Sequence, residues 1–360
     1  MKTILNLQPL TEWLPNTKGP LIIAGPCSAE SPEQVFSTAE ALSKIPQVVI
    51  FRAGVWKPRT HPGTYEGQGI EALEWLKEVK QRFGFRTAVE VARPQHVKAC
   101  LDAGVDILWI GARTTVNPFL VQEIADALEG IEVPVMVKNP VSPDLPLWIG
   151  ALKRLNLKGI TRLIAVHRGF TSSEERHFRN APEWRIPIEL KSLFKDLPVI
   201  CDPSHIAGKR SLIRELSQKS LNLGFDGLMI ETHIRPEQAL SDAQQQITPD
   251  ALAQMLEGIN TTFKMEEDAI ASEKLRLLRQ KIDRVDLELL ENLHLRMKIV
   301  QEIGVLKREH HLSVLQAERW KELLTHRLEV AQKLDLDAPF IESLFRLIHS
   351  YSAEKQIHTD

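Results

Sequence analysis

The sequence predicts an α/β fold, a (β/α)8 TIM barrel, followed by an all-α domain of three helices. Two observations predict the barrel. Between about residues 20 and 240, eight short β-branched runs alternate with segments of helical spacing, and polar or charged residues follow most of these runs. Runs that are apolar throughout are typical of parallel strands covered by helices on both faces. Eight of them in about 220 residues match the length of a closed eight-stranded barrel.

The predicted strands follow one another at regular intervals. They are LIIAGP at 21, VVIFRAG at 48, TAVEVA at 87, DILWIGA at 106, VPVMVKN at 133, RLIAVHRG at 162, LPVICDPSH at 197 and GLMIETH at 227. Segments between them, such as IEALEWLKEVKQRF and PFLVQEIADALEG, carry apolar residues at helical spacing. A doubly wound open sheet is the alternative, and it is disfavoured because no glycine-rich dinucleotide turn follows the first strand.

The character of the sequence changes after the barrel. Residues 261–272 are polar and predict a linker between a barrel domain at 1–260 and a helical domain at 273–360. A segment of more than 30 residues then lacks any helix breaker, and its apolar positions recur at spacings of three and four: Leu275, Leu278, Ile282, Val285 and Leu289. Two shorter helical patterns follow at 314–334 and 339–356, with Asp337 as a candidate cap. Because three helices bury little surface by themselves, we expect a homo-oligomer, at least a dimer through this domain.

Composition excludes several classes of protein. Lys and Arg total 45 against 47 Asp and Glu, so no basic field indicates binding to nucleic acid. No stretch of about 18 uncharged apolar residues predicts a membrane span, and the first 20 residues do not resemble a signal peptide. Three cysteines are too few for a disulfide framework, so we expect a reduced, cytoplasmic location.

Polar side chains lie at or just past the ends of the predicted strands. They are Cys27, Arg52, Glu90, Arg113, Lys138, Arg168, His205 and Glu231. In a barrel these ends form the active-site face, so residues far apart in sequence converge there. Any one of them could be a loop residue facing water, but the repetition at six or more strands indicates a common site.

Two sets of residue types stand out at this face. Cys27, His205, Glu231 and Asp242 offer a thiolate, an imidazole and two carboxylates, which suit a divalent Mn, Fe, Co or Zn ion. Their spacing is not a compact motif, so other roles stay open: Cys27 as a small buried hydrophobe, His205 bonded to a loop carbonyl, and Asp242 as a helix cap. The second set is cationic and predicts phosphate and carboxylate ligands, because so many cations would repel one another without polyanionic substrates: Arg52, Lys57, Arg59, Arg113, Lys138 and Arg168.

The motifs AGPCSAES, KPRT, GART, VKNP, CDPSH and LSDAQQ, in this order, resemble the 3-deoxy-D-arabino-heptulosonate 7-phosphate (DAHP) synthase family in its short-core form, over about residues 15 to 260. The resemblance implies that Cys27, His205, Glu231 and Asp242 bind the metal. For phosphoenolpyruvate it implies a phosphate site of Arg113, Lys138, Arg168 and the backbone around Ala112, and carboxylate contacts from Arg52 and Lys57. For erythrose 4-phosphate it implies Arg59 and Thr60.

Three features refine this resemblance. The related 3-deoxy-octulosonate 8-phosphate synthases typically carry an ANRS-like stretch where KPRT stands, so KPRT favours erythrose 4-phosphate over arabinose 5-phosphate. The sequence departs from the family just after KPRT, at HPGTYEGQG. Lys57 is the candidate proton donor to the new alkoxide, and we expect its pKa to be lowered by the surrounding cations. His167 and Glu90 lie near the site by position without an assigned role.

The C-terminal segment resembles the all-helical chorismate mutase family. The resemblance implies substrate-binding positions at Arg279, Arg296, Lys307, Arg319, Ser352 and Gln356. The rearrangement of chorismate to prephenate needs no metal, acid or base, but needs clamped carboxylates and positive charge near the breaking ether. The three arginines would clamp, Lys307 and Gln356 would face the ether, and Arg279 would reach the other subunit's site.

This segment also departs from the family and leaves alternatives open. Gln316 and Trp320 stand where many relatives place acidic residues near the substrate hydroxyl, and Trp320 cannot accept a hydrogen bond. Basic residues on a long helix can also be a solvated face. The tail therefore predicts one of three things: a second enzyme, a module that binds chorismate or prephenate as a feedback signal, or a dimerisation arm without a ligand.

Overall fold

The computed structural model describes residues 5–14, 19–57, 63–172, 177–260 and 269–357. Eight parallel strands close into a barrel in sequence order, which confirms the predicted fold and rules out an open sheet. They are β1 Leu21–Gly25, β2 Val48–Ala53, β3 Arg86–Val91, β4 Ile107–Ile110, β5 Val135–Lys138, β6 Leu163–His167, β7 Val199–Cys201 and β8 Gly227–Glu231.

Helices surround this barrel. They are α1 Leu10–Trp13, α2 Pro32–Ser43, α3 Glu71–Phe83, α4 Pro94–Asp102, α5 Ala112–Thr115, α6 Pro118–Ala127, α7 Leu145–Leu157, α8 Arg185–Leu193, α9 Pro203–Ala207, α10 Ile213–Asn222 and α11 Pro249–Glu257. Short 3-10 helices lie at Arg210–Leu212, Pro236–Gln238 and Ala243–Gln245. Several helices begin with a side-chain cap followed by proline, as at Asp144, whose carboxylate accepts a hydrogen bond of 2.9 Å from Leu147 N.

Alternating strand residues build two apolar layers. One set points into the barrel and fills it, with Ile23, Ile50, Trp109, Met136 and Met229 among its members. The other set faces the surrounding helices and forms the larger core. Because both strand faces are buried, the strands read as continuous apolar runs in the sequence.

The C-terminal unit consists of α12 Ala269–Glu309, α13 Ala317–Lys333 and α14 Ala338–Ile357. The chain divides into compact units at 1–264 and 265–360, and α12 begins inside the segment expected to be a linker. Asp337 caps α14 as predicted, since its Oδ2 accepts a hydrogen bond of 3.0 Å from Phe340 N. The stripe that includes Leu275, Ile282 and Val285 is exposed within this unit.

Among the described residues, no helix combines the length and the apolar character needed to cross a membrane.

Candidate functional site

The barrel brings the predicted polar residues to one face. Lys138 and Glu231 are the last residues of β5 and β8, and Arg168 follows β6 directly. Cys27 lies two residues beyond β1, and His205 lies in α9 just beyond β7. Because all eight strands are parallel, these positions meet at the carboxyl ends of the strands.

Three of the four predicted metal ligands form one close group, and His205 lies next to one of them. One ligand atom each from Cys27, Glu231 and Asp242 forms a group whose members are all within 4.8 Å of one another. Cys27 Sγ is 3.5 Å from Asp242 Oδ2, and His205 Nε2 is 3.8 Å from Glu231 Oε1. A thiol, an imidazole and two carboxylates around so small a space fit a borderline-soft divalent cation.

Cys27 is completely buried, and its protonation depends on what it binds. Burial, reinforced by the nearby Glu231 carboxylate, raises the pKa of the Cys27 thiol to about 12, against the opposing effect of Lys57. The free side chain is therefore a thiol at neutral pH. Because the ligand form is the thiolate, uptake of a cation would release this proton.

Neighbouring side chains orient the two carboxylates. Arg52 NH1 donates to Glu231 Oε1 at 2.9 Å, and Gln245 Nε2 donates to Glu231 Oε2 at 2.6 Å. Arg179 NH1 lies 3.1 Å from Asp242 Oδ1, which leaves Oδ2 facing Cys27. Asp242 itself has a left-handed backbone with φ 50°, which is uncommon for a residue other than glycine. The ligands are thus held in place by an outer layer of hydrogen bonds.

Four cations of the predicted anion-binding set line a pocket beside these candidate ligands. Its walls are formed by Lys57, Glu90, Gly111, Ala112, Arg113, Lys138, Arg168, Arg179, His205 and Asp242. Lys138 Nζ donates to Asp202 Oδ2 at 2.7 Å, and Arg168 NH1 donates to Asn180 Oδ1 at 2.7 Å. Burial lowers the pKa of Arg168 to about 10, so it is still a cation at neutral pH. The structure thus brings Lys57, Arg113, Lys138 and Arg168 to one pocket, whereas Arg52 contacts Glu231 and Cys27.

The structure corrects one expectation about Lys57. Its Nζ donates to Cys27 O at 3.0 Å and lies 3.1 Å from Cys27 Sγ. Burial alone would lower the pKa of Lys57, but the acids Cys27, Glu231 and Glu90 outweigh burial and raise it. The predicted lowering by surrounding cations is therefore wrong, because acidic groups surround Nζ more closely. Arg59 and Thr60, expected at the second substrate, lie outside the described residues.

Of the two residues that had no assigned role, Glu90 lies at the pocket and His167 lies in an aromatic cluster. Glu90 lines the pocket and occupies the space that a side chain at Gly111 would need. His167 packs among the rings of Phe170, Trp184 and Phe225, and burial lowers its pKa to about 3. His167 is therefore a neutral residue of an aromatic cluster.

Several residues of the site were not predicted. Asp202 caps α9 by accepting from His205 N at 3.0 Å, and its other oxygen lies 2.8 Å from His205 Nδ1. Asp202 belongs to the motif CDPSH and Gln245 belongs to LSDAQQ, so the motifs that carry the family resemblance could have identified both as site residues. Arg179 had no such signal, because it lies in an irregular segment between β6 and α8.

The helical unit gathers part of its predicted set. Arg296 NH1 on α12 donates to Ser352 Oγ on α14 at 2.5 Å, and Lys307 Nζ donates to Val314 O at 2.7 Å. Gln356 lies on α14 one turn beyond Ser352, where its carbonyl accepts from Arg308 at 3.2 Å. These positions line the facing sides of α12 and α14.

Two predicted arginines, Arg319 and Arg279, are exposed. Arg319 is exposed on the first turn of α13, with NH1 at 3.3 Å from Glu322 Oε2. Arg279 is exposed on α12, seventeen residues before Arg296, which corresponds to about 25 Å along a helix. Within one protomer Arg279 is thus not brought to Arg296.

Comparisons with known proteins match the barrel and the helical unit to the two families that their sequences resemble. Residues 16–267 match the family described as DAHP synthetase I, and residues 278–357 match chorismate mutase type II. A phospho-2-dehydro-3-deoxyheptonate aldolase from Thermotoga maritima is 31% identical over 226 residues, covering 63% of this chain and 64% of that protein. A 2-dehydro-3-deoxyphosphooctonate aldolase from Wolinella succinogenes is 28% identical over 255 residues, covering 64% and 95%. The crystal structure of the Thermotoga maritima DAHP synthase superposes with a TM-score of 0.61 at 27% identity, covering 71% of this chain and 75% of that one.

Proposed function

Because the chain belongs to the DAHP synthetase I family, we propose that its barrel condenses phosphoenolpyruvate with erythrose 4-phosphate and water to give DAHP and phosphate. The supporting observation is that the cluster of Cys27, Glu231 and Asp242 adjoins the cation-lined pocket, whose walls include His205 and Asp242. Such an arrangement can hold two phosphorylated substrates next to a Lewis acid.

Different cations bind the phosphate and the carboxylate of phosphoenolpyruvate. Arg113, Lys138 and Arg168 take the phosphate, with the backbone at Ala112 beside it. Arg52 and Lys57 take the carboxylate. Arg52 also braces the metal ligands, since it donates to Glu231 and, at 3.2 Å, to Cys27 O. The proposed contacts to erythrose 4-phosphate are Arg59 and Thr60.

A divalent Mn, Fe, Co or Zn ion, when bound by the four ligands, supplies Lewis-acid polarisation of the aldehyde. The enol carbon of phosphoenolpyruvate forms the new carbon–carbon bond with that aldehyde carbon. Lys57 donates a proton to the developing alkoxide, and its raised pKa keeps it protonated for this task at neutral pH. Water adds at the cationic carbon, and the phosphate departs while Arg113, Lys138 and Arg168 stabilise its charge.

The test is an assay of phosphoenolpyruvate consumption by the full chain with Mn²⁺ and either erythrose 4-phosphate or arabinose 5-phosphate. We expect turnover with the four-carbon sugar, because KPRT replaces the stretch typical of octulosonate synthases. Lys57→Ala should lower kcat at least about 10³-fold and change metal affinity much less. Near-normal turnover in that variant would exclude Lys57 as the donor, and preference for arabinose 5-phosphate would exclude the substrate assignment.

For the helical unit we propose the rearrangement of chorismate to prephenate. Arg296 and Arg319 clamp the substrate, Ser352 supports the clamp, and Lys307 and Gln356 face the ether oxygen. Burial, with Arg327 nearby, lowers the pKa of Arg296, as expected where a cation awaits an anion.

We further propose that this activity requires a dimer. The exposed stripe from Leu275 to Leu289 needs a partner surface, and Arg279 is too far from Arg296 to serve the same protomer's site. A second copy of α12 would cover the stripe and supply its own Arg279. The three cysteines are free and buried, which agrees with the proposed reducing, cytoplasmic location.

A regulatory role of the helical unit is the second candidate, because prephenate lies downstream of the barrel's product. Titration of prephenate against synthase activity tests it. Inhibition in the wild type that weakens in Arg296→Ala supports feedback through this site, and unchanged synthase activity in the wild type argues against it.

A further inference from the structure

His349 Nε2 is a buried polar atom near the proposed mutase site, and it has no hydrogen-bond partner among the described residues. The imidazole of His349, on α14, lies flat against the indole of Trp320, on α13. The ring centroids are 4.0 Å apart and the planes differ by 17°. A ring fixed by stacking on one face, with a buried unsatisfied nitrogen, is the arrangement expected of a group that awaits a ligand.

His349 belongs to the same helix face as the substrate clamp. Ser352 follows it by three residues on α14, so both side chains lie on one side of that helix. Ser352 accepts the hydrogen bond from Arg296, which places His349 beside the clamp. Burial, together with Arg296 and Lys307 nearby, lowers the pKa of His349, so at neutral pH the ring is uncharged. A neutral imidazole has one nitrogen that accepts a hydrogen bond.

The chemistry of chorismate creates a need for such an acceptor. Its two carboxylates and its ether oxygen are acceptors, which suit Arg and Lys, but its ring hydroxyl is a donor. Arg, Lys and Trp side chains cannot accept. Ser352 Oγ already accepts from Arg296 and donates to Ile348 O. The Gln356 amide is assigned to the ether oxygen, and Gln316 is exposed on the surface of the unit.

We propose that His349 accepts the hydrogen bond of the chorismate hydroxyl, while Trp320 fixes the orientation of the imidazole. This inference rests on the proposed mutase function. It explains how a site with Trp320 in place of an acidic residue can still recognise a hydroxylated substrate.

The test compares chorismate with 4-deoxychorismate in the full chain. His349→Phe keeps a ring against Trp320 but removes the acceptor, and His349→Gln retains an acceptor. We expect kcat/KM for chorismate to fall about 10- to 100-fold in His349→Phe and less than about fivefold in His349→Gln. The ratio of kcat/KM between the two substrates should fall toward one in His349→Phe, whereas a merely structural role would lower both substrates equally. An unchanged ratio in a folded His349→Phe protein would overturn the proposal.

A second variant provides rescue. Trp320→Glu, added to His349→Phe, introduces a new acceptor at the neighbouring position. It should raise kcat/KM for chorismate about tenfold above the value of His349→Phe alone. Circular dichroism and synthase activity report that each variant is folded. If the wild type lacks mutase turnover, the proposed function fails, and calorimetric binding then decides this inference: His349→Phe must weaken chorismate binding more than 4-deoxychorismate binding, and equal weakening would reject it.

Discussion

The two candidate sites in this chain differ in how their charged side chains are held. At the barrel mouth Arg52 and Lys138 are buried and already paired, Arg52 with Glu231 and Lys138 with Asp202. In the helical unit Arg319 and Arg279 are exposed, and only part of the proposed site is assembled within one protomer. The barrel closes on itself and can prearrange its charges, whereas the proposed site of the three helices would be completed by a second copy.

This difference follows from chemistry as well as from size. Carbon–carbon bond formation needs a Lewis acid and a proton donor held at fixed positions, and a web of buried hydrogen bonds provides that. A unimolecular rearrangement needs a folded substrate and fixed positive charge, which a few side chains on helices can supply. Because the two sites lie in separate units of the chain, the activity of one can serve as an internal control for a change in the other.

Metal removal should produce the largest contrast. Treatment of the full chain with a chelator should lower synthase activity at least about 10³-fold, because the aldehyde is no longer polarised. Mutase activity should change less than twofold, since its rearrangement uses no metal. Parallel assays before chelation, after it and after readdition of Mn²⁺ measure both. Synthase turnover that survives complete removal would break the comparison.

Arg296→Ala should give the reverse contrast. Loss of the clamp that donates to Ser352 should lower kcat/KM for chorismate about 10²-fold, while the barrel keeps its full rate. Following chorismate loss and phosphoenolpyruvate loss on one preparation checks this. A fall in both activities would point to misfolding, and a fall in neither would remove Arg296 from the site.

Ile282→Asp tests the need for a second copy. Ile282 lies in the exposed apolar stripe of α12 with 59% exposure, so a charge there should disrupt a dimer and lower mutase activity by more than about tenfold. Arg284→Asp is the matched control, because Arg284 lies outside the stripe at 83% side-chain exposure. Analytical ultracentrifugation and the two assays measure the outcome. A variant that stays dimeric and active would refute this interface.

The smallest effect is expected from the two aspartate caps. Asp337→Ala removes the hydrogen bond to Phe340 N and should lower the free energy of unfolding of the helical unit by about 1 kcal/mol. Asp144→Ala removes the corresponding cap of α7 and should destabilise the barrel instead. Differential scanning calorimetry distinguishes them if the two units unfold in separate transitions. Equal shifts of both transitions in either variant would show that the units do not unfold independently.

Sequence reasoning succeeded where a repeated physical pattern existed. The eight strands were predicted because each is buried on both faces, and Arg113, Lys138 and Arg168 because they end successive strands. The direction of the Lys57 pKa shift was missed, since it depends on which acids come within a few ångströms of Nζ. Arg179 was missed because its role is set by the path of an irregular segment, and His349 because a stack between two helices has no sequence periodicity.

The left-handed backbone at Asp242 restricts which residue types can replace it during evolution. Few residues other than Gly, Asn and Asp adopt a φ of 50° without a cost of about 1 kcal/mol or more. Among substitutions that remove the carboxylate of Asp242, asparagine is therefore the one expected to preserve the backbone conformation of this loop, and it removes one negative charge. A relative that works without a metal ion would accordingly be expected to have asparagine at the position of Asp242.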